Sequence, residues 1–201
     1  MSGDPVAATP ARRSLSASQQ SRRARILDAA VSLAIGGGYG AVGMREVATA
    51  ADVALATVYR YFPSKDHLLL GVMADSLERL RVRRRQPRGG TSAERVLAVI
   101  EQTTRSMLRN PELSSAILHA WVVVAGEPGA DETRISTSIR DAVLAAMARP
   151  PAPPTPDNLM RIKLLTRVWF SELLFRANGR ESDTTLLETV RAAVSYLFPD
   201  E

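Results

Sequence analysis

Two short helical segments separated by a very tight connection constrain the fold of this chain more than any other feature. The first covers residues 44–51, and its apolar residues recur at the i, i+3, i+4, i+7 spacing of one helical face. The second covers about residues 54–62, and only Ala51-Asp52-Val53 connects the two. Two short helices joined by such a turn form a helix-turn-helix, whose second helix enters the major groove of DNA. The segment therefore predicts a DNA-binding protein.

Helical periodicity also dominates the rest of the chain. The first helix follows Ser21 and is expected to end at Gly36-Gly37-Gly38, because glycine runs interrupt helices. The remaining helices are predicted over residues 65–84, 92–109, 111–125, 132–149, 157–178 and 183–197. No strand pattern stands out, so we expect an all-α protein of about nine helices. We divide it into a disordered tail over residues 1–20, a helix-turn-helix domain over 21–66, and a C-terminal helical domain over 67–201.

The composition limits the kinds of site that the chain can hold. It contains no cysteine, which excludes disulfides, thiolate metal ligands and cysteine nucleophiles. Its two histidines, His67 and His119, lie far apart without acidic partners at ligand spacing, so we expect no metal site. No apolar run approaches the roughly 18 residues of a membrane span, and the N-terminus lacks the apolar core of a signal peptide. We therefore expect a cytoplasmic protein, and its net charge of +5 suits a polyanionic partner.

One motif supports a different class of protein. Residues 38–43 match the G-x-G-x-x-G pattern of dinucleotide-binding loops, which would make the chain an NAD(P)-dependent oxidoreductase. Such a loop needs a strand before it, whereas the preceding residues carry helical periodicity and no βαβ alternation follows. We therefore favour a regulator that is not an enzyme and needs no cofactor. A second alternative is a lipid-binding module that does not bind DNA.

The predicted helix-turn-helix and its surroundings resemble the N-terminal domain of TetR-family transcriptional regulators. The resemblance covers residues 22–70 and is carried by Gly38-Tyr39, Met44-Arg45-Glu46-Val47-Ala48, Ala51-Asp52-Val53 and Thr57-Val58-Tyr59-Arg60-Tyr61-Phe62-Pro63-Ser64-Lys65. Within the family, segments 37–42 and 59–69 look most like regulators of sterol catabolism. The chain departs from the family pattern at Asp52, where the turn usually has glycine, and at Gly43 and Ala54, where hydroxyl residues usually cap the helices. Aspartate tolerates left-handed backbone better than most residues, so the turn is expected to survive.

This resemblance, together with helical spacing, assigns the expected DNA contacts. Arg45, in the first turn of the second helix, would reach a base edge or a phosphate. Tyr59 would present its ring to a thymine methyl, and Tyr61 would donate to a phosphate. Lys65 would hold a phosphate together with the free N–H groups of the helix that it begins. The complete set of expected DNA contacts is Arg22, Arg23, Arg45, Leu55, Ala56, Thr57, Tyr59, Tyr61 and Lys65.

The predicted helix over residues 157–178 is apolar on two sides. One stripe contains Leu159, Ile162, Leu165, Trp169 and Leu173, and the other contains Leu164, Val168 and Phe175. A surface helix needs only one apolar stripe, so the second predicts contact with a partner. The last helix offers a further face with Leu186, Val190, Ala193 and Leu197. Another copy of the chain is the simplest partner, because a homodimer matches a two-fold DNA site contacted in successive major grooves.

The family resemblance also implies a ligand cavity among the other C-terminal helices. Its candidate lining residues are Met107, Leu108, Ile117, Leu118, His119, Trp121, Val122, Met147, Trp169, Phe170 and Leu173. The alternative for His119 is an ordinary core histidine. The resemblance to sterol regulators implies a steroid acyl-CoA ligand, whose CoA part would need cations from Arg105, Arg109, Lys163 or Arg167. We therefore predict a homodimeric repressor that a bulky apolar effector, such as a steroid or fatty acyl-CoA, releases from its double-stranded DNA operator.

Overall fold

This computed structural model describes residues 16–83, 89–124, 130–147 and 153–199. Within these ranges the chain forms nine helices and no strand, which confirms the predicted all-α class. The helices are α1 (Ala17–Ala41), α2 (Met44–Ala50), α3 (Leu55–Tyr61), α4 (Lys65–Arg83), α5 (Ser92–Leu108), α6 (Pro111–Val124), α7 (Ala130–Met147), α8 (Pro156–Ala177) and α9 (Asp183–Leu197). No helix in the described part of the chain is long and apolar enough to cross a membrane.

The first helix begins earlier than predicted. Ser16 caps it, because its side chain accepts a hydrogen bond from the Gln19 backbone N–H and the Gln19 side chain accepts one from the Ser16 N–H. This reciprocal pair satisfies two backbone donors that a helix start leaves free. Residues 17–20, which the sequence prediction assigned to a disordered tail, are therefore helical. The rest of that predicted tail, residues 1–15, lies outside the described residues.

Two glycines bend α1 where the sequence predicts its end. Gly37 and Gly38 leave helical geometry, and Gly38 has a φ of 64°, after which one more turn continues to Ala41. A Cβ atom on Gly38 would lie 3.0 Å from the Glu112 carboxylate on α6. The bend therefore needs glycine both for its left-handed backbone and for the close approach of α6.

Helices α2 and α3 form the predicted helix-turn-helix. Asp52 lies in the turn with a φ of 51°, as expected for a residue that replaces glycine there. Gly43 and Ala54 precede the two helices and provide no side-chain cap. After α3, the Ser64 hydroxyl accepts a hydrogen bond from the His67 N–H, which confirms Ser64 as the predicted cap of α4.

The N-terminal region is packed against the C-terminal helices through α1 and α4. Helix α1 packs on α6, and α4 packs on both α6 and α7. Helix α5 packs on α7 and α9, and α8 packs chiefly on α9. The predicted domain boundary at residue 66 falls within the first turn of α4. This helix packs both on α1 of the N-terminal region and on α6 and α7 of the C-terminal region. That boundary stays a prediction.

Helix α8 has two apolar sides, but α9 differs from the prediction. On α8, Trp169 and Leu173 are buried, whereas Leu164 and Phe175 are exposed. Leu159, predicted to lie with the buried stripe, is 40% exposed. The predicted partner face of α9 is instead anchored in the chain's own core through Leu186 and Val190, because α9 packs on α5 and α8.

Candidate nucleic-acid interface and effector cavity

Helix α3 has one side in the core and one side in solvent. Val58 is fully buried, whereas Ala56 is exposed and Tyr59 is 50% exposed. Thr57 is half-buried on the same short helix, and Arg45 is exposed on α2. An aromatic ring half-exposed on a short helix, and an exposed arginine on the helix packed against it, can contact base edges and thymine methyl groups in a major groove. The exposure of these side chains leaves room for the predicted DNA contacts, which stay predictions.

Tyr61 and Leu55, two other predicted contacts on α3, also have partners within the protein. The Tyr61 hydroxyl donates to the Gln19 carbonyl oxygen over 3.3 Å, so it ties α3 to the first turn of α1. The Arg60 guanidinium lies over the Tyr61 ring, 5.6 Å from its centroid. Leu55 is half-buried and packs on the core. Tyr61 therefore positions α1 in this conformation, and its phosphate contact stays a prediction.

Lys65 is held by Tyr39, a residue at the far end of α1. The Lys65 ammonium donates to the Tyr39 carbonyl oxygen over 3.2 Å and lies 3.5 Å from the centroid of the Tyr39 ring. The Tyr39 hydroxyl donates to Asp66 Oδ1 over 2.7 Å. Burial raises the pKa of Tyr39 to about 12, and the hydrogen bond with Asp66 contributes to the shift. Lys65 therefore fastens α4 to α1, with ammonium donors left for the predicted phosphate.

Arg23 faces the C-terminal helices. Its guanidinium bonds Asp131 Oδ1 on α7 over 3.3 Å, and both side chains are mostly buried, at 18% and 20% exposure. The same guanidinium lies 5.2 Å from the centroid of the Phe62 ring. Arg23 thus joins α1, the end of α3 and α7, which leaves it poorly placed for the predicted phosphate contact. Arg22, its half-buried neighbour, has no such ion pair among the described residues.

Sequence reasoning missed one cation on the groove side of α3. Arg60 is exposed and adjacent to Tyr59. The signal was present, because Val58 and Phe62 mark the buried side of the helix and Arg60 lies halfway between them. An arginine at this position can add a phosphate or base contact that the predicted set omits.

A small cavity lies among α4, α5, α6, α7 and α8. Its volume is about 60 Å³, and its lining is apolar except for Ser136 and Thr166. The rings of Trp121 and Phe170 meet there with centroids 5.6 Å apart. The predicted ligand residues that line it are Met107, Ile117, Leu118, Trp121, Trp169, Phe170 and Leu173. Met73 on α4 and Ile135 and Ile139 on α7 complete the apolar wall without having been predicted.

Four predicted ligand residues lie away from this cavity. Leu108 follows the lining residue Met107 but projects from another side of α5. Val122 is 55% exposed, and Met147 ends α7 where its carbonyl oxygen accepts hydrogen bonds from Ser92 and Arg95. The prediction for His119 as a core or cavity residue is wrong, because its side chain is exposed and its ring packs on Tyr39, with centroids 4.1 Å apart.

A buried carboxyl group lies on α8 beside the cavity wall. Glu172 is 8% exposed, and one of its oxygens has no hydrogen-bond partner. Burial raises its pKa to about 6, and a hydrogen bond with Glu181 adds to the shift. Two carboxyl groups this close share a proton more readily than they carry two charges. Glu172 is therefore neutral over a wider pH range than an exposed glutamate.

The glycine motif at residues 38–43 lies at the bent end of α1 and in the turn before α2. No strand precedes it in the described part of the chain. The condition for a dinucleotide-binding loop is therefore unmet, and the oxidoreductase alternative is not favoured.

Comparisons with known proteins agree with this architecture. A family model described as bacterial regulatory proteins, tetR family, matches residues 26–72. A second, described as tetracyclin repressor-like, C-terminal domain, matches residues 89–197. The chain belongs to the TetR family of transcriptional regulators.

Individual relatives are similar over most of their length. The HTH-type transcriptional repressor KstR of Rhodococcus jostii (strain RHA1) is 38% identical, over 90% of this chain and 85% of the relative. KstR of Mycobacterium tuberculosis (strain ATCC 25618 / H37Rv) is 36% identical, over 92% of this chain and 84% of the relative. A crystal structure of a TetR transcriptional regulator from Rhodococcus sp. RHA1 superposes with a TM-score of 0.81 at 35% identity, covering 90% of this chain and 97% of the other.

Proposed function

We propose that this chain is a repressor that binds a two-fold symmetric DNA site as a homodimer and leaves it when a bulky amphipathic molecule binds. The observation that carries this proposal is the solvent-exposed side of α3, which presents Ala56, Tyr59 and Arg60, while Arg45 is exposed on α2, the helix that packs on α3. The assignment of repression is supported by the similarity to proteins named as KstR repressors.

An exposed apolar surface on α8 supports the homodimer. Leu159, Met160, Leu164 and Phe175 are between 38% and 53% exposed on this one helix. A cluster of large apolar side chains in solvent marks a protein interface more often than a free surface. Tyr196 on α9, 86% exposed, adds an aromatic side chain to the proposed dimer contact.

The cavity is connected to α3 by a short stretch of chain. Met73 of α4 lines the cavity, and only three residues separate the end of α3 from the start of α4. A ligand larger than the cavity must displace the helices that line it. Displacement of α4 would move α3 relative to α3 of the partner subunit in the proposed dimer. Such a ligand can shift the DNA-binding equilibrium only by the difference between its affinities for the two states.

The proposed effector is a steroid carboxylic acid or its CoA thioester. The support for this class is the aromatic and aliphatic cavity wall and the resemblance of segments 37–42 and 59–69 to sterol regulators. A lipid-binding module without a DNA target remains the competing function. It predicts ligand binding without salt-dependent affinity for DNA.

The DNA-binding half of the proposal is tested by selection from a random duplex library. We expect enrichment of one roughly palindromic sequence, and an affinity that falls linearly with the logarithm of the salt concentration as counterions are released. Fluorescence anisotropy of the selected duplex measures both properties. Failure to enrich any sequence would contradict the proposal and favour the lipid-binding alternative.

The effector half is tested by release of the selected duplex. Lithocholate and lithocholoyl-CoA, the acid and CoA thioester of one steroid, are titrated into the protein–DNA complex. We expect release by both and a lower half-maximal concentration for the thioester. Equal potency would contradict a role for CoA. Release by a small polar molecule at lower concentration would contradict the steroid class and leave a regulator with another ligand.

A further inference from the structure

A second, larger depression lies where α1 and α4 meet the C-terminal helices α5 and α6. This interdomain cleft has a volume of about 240 Å³, and α1, α4, α5 and α6 form its sides. Leu27 and Val31 of α1 line it, so part of its wall belongs to the DNA-binding region. Hydroxyl and amide side chains, among them Ser76, Ser106 and Asn110, make this wall more polar than that of the inner cavity.

The cleft adjoins the inner cavity. Met73, Met107 and Ile117 line both spaces, so these three side chains form the partition between them. Methionine side chains are unbranched and change conformation readily, which makes such a partition easy to open. Neither space alone reaches the roughly 300–1,000 Å³ of an ordinary ligand pocket, whereas a molecule that crosses the partition could use both.

Two arginines lie at the edge of the cleft. Arg109 donates to the hydroxyl of the lining residue Ser106 over 3.0 Å, and it forms no ion pair with any described carboxylate. Arg79 bonds Asp75 over 2.7 Å and Asp28 of α1 over 3.2 Å. Both side chains of the Arg79–Asp28 ion pair are exposed to solvent, so the pair contributes little free energy. An incoming anion can therefore replace Asp28 with a small loss of stability.

From this arrangement we propose that the interdomain cleft binds the anionic end of the effector, while its apolar body crosses the methionine partition into the inner cavity. The anion, a carboxylate or a CoA phosphate, pairs with Arg109 and takes the place of Asp28 at Arg79. This inference rests on the proposed function, and it adds a ligand contact made directly on α1. The effector then acts on the DNA-binding region at the cleft as well as through α4.

Charge variants test the anion site. Lithocholate and its uncharged methyl ester are titrated against the full-length protein, and quenching of Trp121 and Trp169, which both line the inner cavity, reports occupancy. We expect Arg109→Gln to weaken lithocholate binding about tenfold, a loss typical of one charge-assisted contact. Binding of the methyl ester should change less than twofold. Asp28→Asn should strengthen lithocholate binding severalfold by freeing Arg79.

Arg105→Gln is the matched control, because Arg105, although one of the predicted CoA cations, lies one turn earlier on α5, is paired with Glu101 and does not line the cleft. It should leave the binding of both ligands unchanged. Equal losses in Arg109→Gln and Arg105→Gln, or equal losses for acid and ester, would overturn the anion site. Unchanged affinity for the selected duplex without ligand verifies that each variant is folded.

A steric variant tests the location independently of charge. Ser76→Trp should fill the cleft and weaken both ligands at least tenfold, whereas Ser115→Trp, on an exposed part of α6 outside both linings, should not. Unchanged ligand affinity in Ser76→Trp would overturn the cleft as the entrance. If the wild-type protein binds neither ligand, the cleft proposal and the steroid class both fail, while specific DNA binding would still support the regulator.

Discussion

The hydrogen bond between Trp169 and Thr104 should be worth a measurable part of the stability of the cavity wall. Trp169 Nε1 donates to Thr104 Oγ1 over 2.8 Å, and the two residues are 2% and 0% exposed. The Thr104 hydroxyl in turn donates to the Ile100 carbonyl oxygen over 2.8 Å. Substitution Thr104→Val preserves the shape of the side chain but removes the acceptor, so the indole N–H is left buried without a partner.

A buried donor without a partner costs about 1–3 kcal/mol, so we expect Thr104→Val to lower the free energy of unfolding by about 2 kcal/mol. For a chain of this size that loss corresponds to a decrease of about 4–8 °C in Tm. Urea unfolding followed by circular dichroism measures the change by linear extrapolation. All variants are compared at one protein concentration, because the proposed dimerisation would stabilise the folded state by mass action.

Thr166→Val provides the matched control. Its hydroxyl donates to the Ile162 carbonyl oxygen over 2.8 Å, in the same i−4 arrangement, but no indole depends on it. We expect this variant to lose less than about 0.5 kcal/mol, because such back-bonding contributes little to a helix. A double-mutant cycle with Trp169→Phe should show coupling of about 1 kcal/mol or more. Equal losses in the two threonine variants, with additive effects of Trp169→Phe, would refute the reasoning.

Three further predictions concern the exposed side of the DNA-binding region and Glu172. Arg22→Gln should reduce the salt dependence of operator binding by about one counterion, whereas Arg23→Gln should leave it unchanged because Arg23 faces Asp131. Anisotropy titrations at several salt concentrations measure this dependence, and an equal dependence in the two variants would contradict the different roles of Arg22 and Arg23. Tyr59→Ala should relax base preference at particular positions of the selected site, whereas a uniform loss across all sequences would assign Tyr59 to phosphate positioning instead. Burial raises the pKa of Glu172 from 4.5 to about 6 in the folded state, so the folded protein binds this proton more tightly than the unfolded chain does. The contribution of Glu172 to stability therefore falls as the pH rises through this window. Glu172→Gln should therefore be more stable than wild type near pH 8, by up to about 2 kcal/mol, and should lose this advantage below about pH 4.5. Urea unfolding at both pH values measures the difference, and a stability difference that does not change with pH would contradict the raised pKa of Glu172.

The helical architecture could be predicted because its signals are local. Apolar residues at helical spacing define each helix, and Asp52 in the turn and Ser64 before α4 have the backbone and capping roles that their side-chain chemistry indicates. The early start of α1 was also encoded locally, in Ser16 and Gln19, but the polar composition of the N-terminus obscured it.

The roles of several site residues could not be predicted, because they depend on distant partners. Arg23 meets Asp131 across 108 positions, and Lys65 meets Tyr39 across 26. Nothing in the neighbouring sequence identifies either partner. His119 is different, because Ser115, His119, Val122 and Val123 follow helical spacing and are all exposed. The apolar sequence around His119 suggested a core position, whereas this spacing placed it on the solvent side.

The packing of α1 against α6, and the ion pair of its Arg23 with Asp131 on α7, have a consequence for how the protein is made. Translation at about 5–20 residues per second leaves roughly 5–20 seconds between synthesis of Arg23 and of Asp131, which are 108 positions apart. Throughout that interval the side of α1 that will cover α6 has nothing to pack against, although α2 and α3 are already complete in sequence. The nascent DNA-binding region is therefore open to chaperones and proteases until the effector-binding helices emerge. A regulator built in this order acquires its mature DNA-binding surface only together with the helices that control it.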